Sequence, residues 1–189
     1  MTGSTRRTGA QTKAEAQRVA LALFSAQGYE ATSMRQIADE LGINKASLYY
    51  HFTSKEEIVT ATMADRGAEA AELLAWARVQ PQTPDLLERT VLRWIDTSSV
   101  DKLRGIRFLA ANPLLLRSTA GSGTLLRDSL GALVAMFTAD LDGVREVQVR
   151  MAFLSINAAV SAAGTRFADE DVVAAARATA LAILDQLGR

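Results

Sequence analysis

Residues 32–55 read TSMRQIADELGINKASLYYHFTSK, a stretch that contains the signals for two short helices and a tight turn between them. Ser33 followed by Gln36 forms a capping box, which predicts the start of a helix. Gly42 can take the positive φ that ends a helix, and Asn44 can cap the next one. Three apolar residues between these caps recur at helical spacing and predict a buried face: Ile37, Ala38 and Leu41.

The second of these helices has the composition of a DNA-recognition helix. Its first turn holds small or polar residues, which leave room to approach base edges: Lys45, Ala46 and Ser47. Leu48 and Phe52 are predicted to point inward, and the far end carries groups able to bond phosphates: Tyr49, Tyr50, His51 and Lys55. The pattern predicts a helix-turn-helix over about residues 33–52, although a plain helical hairpin with a glycine turn would look similar.

Composition sets the broad class of the protein. The chain has 189 residues, of which 49% are hydrophobic, so it can bury a core in one or two domains. It has no cysteine, which excludes disulfides and thiolate metal sites. No apolar run approaches the length of a membrane span, and no signal segment opens the chain. We therefore expect a cytoplasmic protein with no membrane partner, no metal site and no cofactor.

Charge is unevenly distributed along a chain whose net charge is zero. Residues 1–55 carry seven basic and four acidic side chains, a balance of +3, so the remainder carries −3. This asymmetry suits a basic N-terminal domain that binds DNA, followed by a neutral-to-acidic remainder of the chain, called the body below. Residues 1–11, which include Arg6 and Arg7, are predicted to form a flexible basic arm. Such an arm either reaches DNA phosphates or a minor groove or is a disordered terminus without a role.

Two further capping boxes place the other helices of the predicted DNA-binding domain, residues 12–58. Thr12 with Glu15 predicts the start of the first helix. Ser54 with Glu57 predicts the start of a long helix that runs into the body without a linker.

The body, residues 59–189, shows helical signals throughout. In Thr83-Pro84-Asp85 the proline is expected at the first position of a helix. Ser98–Ser99 predicts a break between two helices, and residues 121–123 a looser patch. No strand-like alternation and no internal repeat is present, so the chain is predicted to be all-α.

The last two predicted helices, about 144–164 and 169–187, are rich in alanine, and Asp169 is expected to cap the second. Small residues let helices approach closely. A monomer can use them for an internal hairpin, whereas two copies can form a four-helix bundle that buries an otherwise excessive apolar area. We favour a homodimer formed through this pair of helices.

A ligand pocket in the body is the least determined feature. Aromatic, methionine and a few polar residues are candidates to line it: Trp94, Arg107, Phe108, Met136, Phe137, Met151, Phe153 and Asn157. Ordinary core packing explains any one of them equally well. Arg107 and Asn157 are the more informative, because an inward-facing polar group needs a partner, although both can equally face water.

Catalysis is not expected. His51 is the only histidine, and no nucleophile–base constellation, glycine-rich phosphate loop or metal-ligand spacing accompanies it. A helical interaction module without DNA binding would leave the basic N-terminal domain unexplained.

The segment ALFSAQGYEATSMRQIADELGINKASLYYHFTSKEEI, within about residues 12–60, resembles the N-terminal signature of the TetR family of bacterial transcriptional regulators. The resemblance implies a helix-turn-helix domain joined by a continuous helix to a helical ligand-binding and dimerisation domain. It also implies a homodimer that binds a palindromic operator in double-stranded DNA, usually as a repressor released by a small-molecule effector. An activator without such an inducer remains the alternative.

The resemblance also assigns roles to individual positions. Thr32, Ser33 and Arg35 match phosphate-side or groove-edge positions, and Lys45, Ala46 and Ser47 match base-reading positions. Tyr49, Tyr50, His51 and Lys55 match positions that contact the DNA backbone, and Tyr50 alternatively reaches a base edge or a thymine methyl. Asn44 stands where the family often has Ser, and either residue can cap.

Overall fold

The computed structural model describes residues 8–118 and 123–187, except for the side chains of residues 116–118. All regular structure in these ranges is α-helical, which confirms the predicted fold class. None of the described helices combines the length and the apolar character needed to cross a membrane. The helices are α1 Gly9–Gln27, α2 Met34–Leu41, α3 Lys45–His51, α4 Lys55–Arg78, α5 Leu86–Asp96, α6 Val100–Ala111, α7 Pro113–Ser118, α8 Thr124–Thr138, α9 Gly143–Ala163 and α10 Asp169–Leu187.

Two compact units make up the fold, with the division between Thr62 and Met63. In the first unit α1 packs against α2 and α3. Leu48 and Phe52, the residues predicted to point inward, are buried. Burying one such side chain stabilises the fold by about 1.5–3 kcal/mol, so these two anchor α3 to the unit. The rest of this small core comes mainly from α1 and α2: Ala16, Ala20, Phe24, Ile37, Ala38 and Leu41.

The first helix begins earlier than predicted. Thr8 and Gln11 form the capping box: Thr8 Oγ1 accepts from the Gln11 N–H at 3.2 Å, and Gln11 Oε1 accepts from the Thr8 N–H at 2.8 Å. Thr12 and Glu15, which match the same pattern one turn later, lie inside the helix. The predicted arm is therefore shorter, because the chain is helical from Gly9 onward, and its two arginines lie outside the described residues.

The turn between α2 and α3 forms as predicted. Gly42 has a φ of 69°, the left-handed conformation that glycine adopts without strain. The Ile43 N–H donates to the Ala38 carbonyl at 3.0 Å, which closes a Schellman turn. Asn44 Oδ1 accepts from the Ser47 N–H at 2.7 Å and caps α3. This turn fixes where the outer face of α3 begins.

The box predicted at the start of α4 forms only in part. Ser54 Oγ accepts from the Glu57 N–H at 3.2 Å. The Glu57 carboxylate, however, accepts from the Thr53 N–H at 2.6 Å and from the Thr53 hydroxyl at 2.7 Å. These bonds hold the pKa of Glu57 below its usual value. The helix then continues without interruption to Arg78.

In the second unit the prediction for Pro84 is wrong. Pro84 and Asp85 form a turn, and α5 begins only at Leu86, whose N–H donates to the Thr83 carbonyl at 3.0 Å. Asp85 makes no side-chain capping bond to the helix. The Asp85 carboxyl instead accepts from the Thr83 side chain, which is the main cause of its lowered pKa. The break at Ser98–Ser99 is present as predicted.

The last two helices lie within one residue of their predicted bounds, and α9 packs against α10. Asp169 does not cap α10 but is its first residue, and its carboxylate accepts from Arg107 Nη1 at 2.5 Å. Most of the predicted loose patch at residues 121–123 lies outside the described residues. The core of this unit joins α4, α5, α8, α9 and α10 through buried side chains that include Leu73, Val91, Trp94, Leu133, Phe153, Ile156 and Ala176.

Candidate nucleic-acid interface and body groove

The outer face of α3 carries most of the predicted contact residues. Tyr50 is 86% exposed and Tyr49 is 41% exposed, whereas the preceding residue, Leu48, is buried. Lys45 and Ala46 are exposed in the first turn, and Ser47 is half-buried there. Lys45 Nζ lies 5.3 Å from the centroid of the Tyr49 ring. The structure therefore brings a cation, a small residue and two phenols together on one accessible side of a short capped helix.

His51 ends α3 beside the start of the first helix. Its ring makes an edge contact with Tyr50, with the ring centroids 5.2 Å apart. A Cβ placed on Gly9 would lie 3.8 Å from His51 Cε1. Gly9, the first residue of α1, thus lies close to the C-terminal end of α3.

Lys55 is held within the unit by two contacts to Tyr29. Its ammonium donates to the Tyr29 carbonyl at 2.6 Å and lies 4.3 Å from the centroid of the Tyr29 ring. A lysine has three donors, so this arrangement leaves two of them for a phosphate. Lys55 accordingly braces the turn between α1 and α2 in addition to its predicted contact with the DNA backbone.

The Tyr29 hydroxyl donates to Glu56 Oε1 at 2.7 Å. Burial, followed by this bond to a carboxylate, raises the pKa of Tyr29 well above its usual value. The same bond is the main cause of the lowered pKa of Glu56. Tyr29, Lys55 and Glu56 therefore form one polar cluster that joins the α1–α2 turn to the first turn of α4.

Thr32, Ser33 and Arg35 differ in their access to a partner. Thr32 is buried, and its hydroxyl donates to the Gly28 carbonyl at 2.8 Å and accepts from Gln27 Nε2 at 3.1 Å. This side chain is used inside the unit, which corrects the expectation that it faces phosphate. Ser33 is exposed and forms the predicted capping box with Gln36.

The Arg35 side chain is 82% exposed and 3.7 Å from Asp39, so it remains available to an anion.

A groove of about 310 Å³ lies between α8 and α9. Two of the eight predicted pocket residues, Phe153 and Asn157, line it. The other lining residues are Gly123, Leu126, Arg127, Leu130, Gly131, Val134, Arg150 and Leu154. The sequence gives no sign of Arg127 and Arg150 as lining residues, because a surface arginine on a helix carries no local signal of a groove.

The remaining predicted pocket residues lie elsewhere in the described chain. Trp94 and Phe108 are buried, and Met136 and Phe137 are half-buried against the core. Met151 is 52% exposed and is not among the residues that line the groove. The alternative of ordinary core packing applies to the first four.

Arg107 does point inward, where its Nη1 meets Asp169. Its Nε and Nη2 are buried and have no hydrogen-bond partner among the residues that the structure describes.

One buried arginine, Arg66, was not among the predicted site residues. Arg66 is 8% exposed, and its guanidinium lies 4.0 Å from the centroid of the Trp94 ring. Its Nη1 donates to Glu69 at 2.6 Å and to Thr97 Oγ1 at 3.3 Å. Glu69 also pairs with Lys102 at 2.7 Å. This cluster joins α4, α5 and α6, and burial lowers the pKa of Arg66.

An apolar stripe remains uncovered on α9. Its residues are spaced alternately three and four apart and are each about half exposed or more: Val144, Val147, Met151 and Leu154. Ala158 and Ala162 continue it, and α10 adds exposed Ala174, Ala178 and Leu181. Contiguous exposed apolar surface of this kind marks an interaction site, and the heptad-like spacing suits a second helix.

Comparison with known proteins bears first on the N-terminal unit. The model for bacterial regulatory proteins of the TetR family matches residues 18–62, which contain α2, α3 and the start of α4. This N-terminal segment is similar to the corresponding segment of TetR-family regulators. The biofilm operon icaADBC negative transcriptional regulators IcaR of Staphylococcus epidermidis and Staphylococcus aureus (strain Newman) are 51% and 54% identical to it over 39 residues. That match spans only 21% of this chain and 21% of each relative.

Solved structures of TetR-family regulators align with most of this chain. The fatty acid degradation regulator FadR from Bacillus halodurans aligns with a TM-score of 0.70 at 15% identity, over 96% of this chain and 98% of its own. A TetR-family regulator from Mesorhizobium loti MAFF303099 aligns with a TM-score of 0.61 at 22% identity over the same shares. These matches are to regulatory proteins and not to enzymes, and at such identities they establish the fold alone.

Proposed function

We propose that this chain is a TetR-family, sequence-specific DNA-binding transcriptional regulator, most simply a repressor, that acts as a homodimer on a palindromic operator. The observation that carries the proposal is the outer face of α3. There a base-reading first turn, Lys45 and Ala46, adjoins phosphate-binding groups, Tyr49 and Tyr50, on a helix whose inner side is anchored by Leu48. Phosphate contacts supply affinity and register, while contacts to base edges supply specificity.

In the proposed complex Lys45 donates to guanine O6 or N7 in the major groove, and Ser47 assists from the same turn. Tyr49, Tyr50, His51 and Lys55 contact the sugar-phosphate backbone, with Arg35 and the cap at Ser33 on the opposite edge. Arg6 and Arg7 are proposed to add contacts from the N-terminal arm. Thr32 is left out because its hydroxyl is buried.

The homodimer is proposed to form through α9 and α10. The uncovered stripe from Val144 to Leu154 supports this pairing, because it would be an unusual surface on a monomer. Two recognition helices related by a two-fold axis read half-sites about 34–36 Å apart, which explains why the operator should be palindromic. A small-molecule effector that prefers a different dimer geometry would then lower DNA affinity by its differential binding to the two states.

Selection of bound sites from random duplex DNA tests the proposal, with affinities measured at two salt concentrations. We expect a palindrome whose affinity falls steeply as salt rises. Ala46→Glu is the variant whose DNA binding is compared with that of the unmodified chain. It places a negative charge on the DNA-facing side in the first turn of α3, where the helix dipole tolerates it, so binding should be lost without loss of stability. Recovery of no common sequence, with unchanged binding by Ala46→Glu, would contradict the proposal.

A further inference from the structure

The groove between α8 and α9 has an apolar interior. Leu126, Leu130 and Val134 follow one another at helical spacing on α8, and Phe153 faces them from α9. Its volume of about 310 Å³ is at the lower end of the range of about 300–1,000 Å³ for ligand sites. A groove of this size suits a single short hydrocarbon chain.

The polar part of the lining has one sign of charge. Arg127 comes from α8 and Arg150 from α9, and the described lining residues include no carboxylate. Arg150 Nη2 is paired with Glu146 at 2.6 Å. Arg127 forms no ion pair with any described residue. The groove therefore offers an uncommitted guanidinium beside an apolar floor, and Asn157 adds an amide.

We propose that this groove binds an amphipathic anion, with its hydrocarbon chain against the apolar floor and its anionic group at Arg127. A guanidinium binds carboxylate and phosphate through charge-assisted hydrogen bonds, which are roughly twice as strong as neutral ones. A cationic amphiphile would instead face two arginines. The inference deepens the proposed function, because it names the class of effector on which that function depends.

The position of the groove supplies a route to regulation. Leu154 lines the groove and also belongs to the exposed stripe assigned to the dimer. A chain inserted beside Leu154 changes the surface that α9 offers to a second copy. The anion is thus proposed to act on the geometry of the dimer from within the second unit.

Gly131 provides a direct way to close the groove. It lines the groove, and a Cβ placed on it would meet no atom within 4 Å. Gly131→Leu therefore fills the groove with its own side chain, while Gly131→Ala adds one methyl group as a control for the change in helix propensity. Arg127→Gln removes the charge. Arg145→Gln on α9, exposed and outside the lining, is the matched control for loss of an arginine.

The test is calorimetric titration of the full chain, without DNA, with sodium decanoate below its critical micelle concentration. We expect saturable binding of one decanoate per chain and at least about tenfold weaker binding of decyltrimethylammonium. Arg127→Gln should weaken decanoate binding about tenfold, Gly131→Leu should abolish it, and Arg145→Gln should leave it unchanged. A parallel titration with decyl phosphate shows whether a carboxylate or a phosphate is the better anionic group.

Binding weaker than about 1 mM, equal binding of the cationic amphiphile, or unchanged binding by Arg127→Gln would each overturn the inference. Circular dichroism checks that Gly131→Leu is folded. If it is not, the effect of Arg127→Gln on decanoate binding alone tests the inference. Because these titrations contain no DNA, their failure leaves the operator selection, and with it the proposed function, to be judged separately.

Discussion

The ammonium of Lys55 at the start of α4 donates to the carbonyl of Tyr29 at 2.6 Å and lies over the ring of the same residue. We expect Lys55→Met to lower the free energy of unfolding by about 1 kcal/mol, since a partly exposed hydrogen bond from a charged donor is lost while the aliphatic stem is kept. Urea denaturation of the full chain measures this change. The Lys55→Met substitution should also weaken binding to all DNA duplexes alike.

The control for this prediction is Arg35→Met, which removes a largely exposed cation from the same unit. It should leave stability nearly unchanged. Equal stability of Lys55→Met and the unmodified chain would show that the contact with Tyr29 is incidental and that Lys55 serves only DNA.

The bond between Tyr29 and Glu56 makes stability depend on pH in two regions. The pKa of Glu56 is lowered on folding, so its contribution is complete above about pH 4.5 and is lost as the pH falls through the folded value. The pKa of Tyr29 is raised, so its contribution is complete below about pH 10 and is lost as the pH rises further. Tyr29→Phe should therefore cost most between these limits, about 1 kcal/mol.

Thermal unfolding of the unmodified chain and of Tyr29→Phe across this pH range provides the measurement. The two stability curves should converge at acid and at alkaline pH. Parallel curves would mean that the hydroxyl and Glu56 do not interact in solution.

The N-terminal unit was predicted well because its signals are local. Ser33, Gly42 and Asn44 act on backbone groups within four residues of themselves, so the sequence is sufficient to place α2 and α3. The start of α1 failed for the same reason. Thr8 with Gln11 and Thr12 with Glu15 fit one pattern equally well, and the pattern alone does not select between them.

The groove was largely missed because it depends on distant contacts. Phe153 and Arg150 on α9 face Leu126 and Leu130 on α8 only after the two helices pack. Met151, two residues before Phe153, points to the opposite, exposed side. Residue type does not distinguish a methionine that packs inside one chain from one left for a second copy, and so the predicted pocket combined core, groove and surface residues.

Gly67 in α4 permits a close approach of α8. A Cβ at this position would lie 3.1 Å from the Leu125 Cβ and 3.1 Å from the Leu126 N. In an open helix position Gly→Ala stabilises by roughly 0.5–1 kcal/mol, but here backbone must move, so we expect Gly67→Ala to destabilise the chain by about 1–3 kcal/mol. Gly131→Ala, with open space around its Cβ, should be neutral or stabilising. Urea denaturation of both variants measures the two changes in the free energy of unfolding. If both substitutions stabilise the chain, α8 does not approach Gly67 closely.

Met151 lies in the middle of the uncovered stripe on α9 and is 52% exposed. Met151→Glu should dissociate the proposed dimer, because a carboxylate would be buried against its symmetry mate, while the fold of each chain should be kept because the side chain faces outward. Sedimentation velocity at micromolar concentration follows the change. Glu146→Gln on the same helix is a charge control that should leave the dimer intact. If the unmodified chain is a monomer, or if the dimer survives Met151→Glu, the stripe on α9 is not the dimer interface.

Lys45 and Tyr49 lie side by side on α3, but their substitutions should change DNA binding in different ways. Lys45→Ala removes a donor to a base edge, so preference at one position of each half-site should relax by about 1–3 kcal/mol of discrimination, while other positions keep theirs. Tyr49→Phe removes a phosphate contact, so every duplex should bind more weakly by a similar factor. Site selection with each variant separates the two outcomes. Uniform weakening by Lys45→Ala would assign Lys45 to the backbone, and base reading would then fall to Ser47 and Tyr50, which lie on either side of Tyr49 in the sequence.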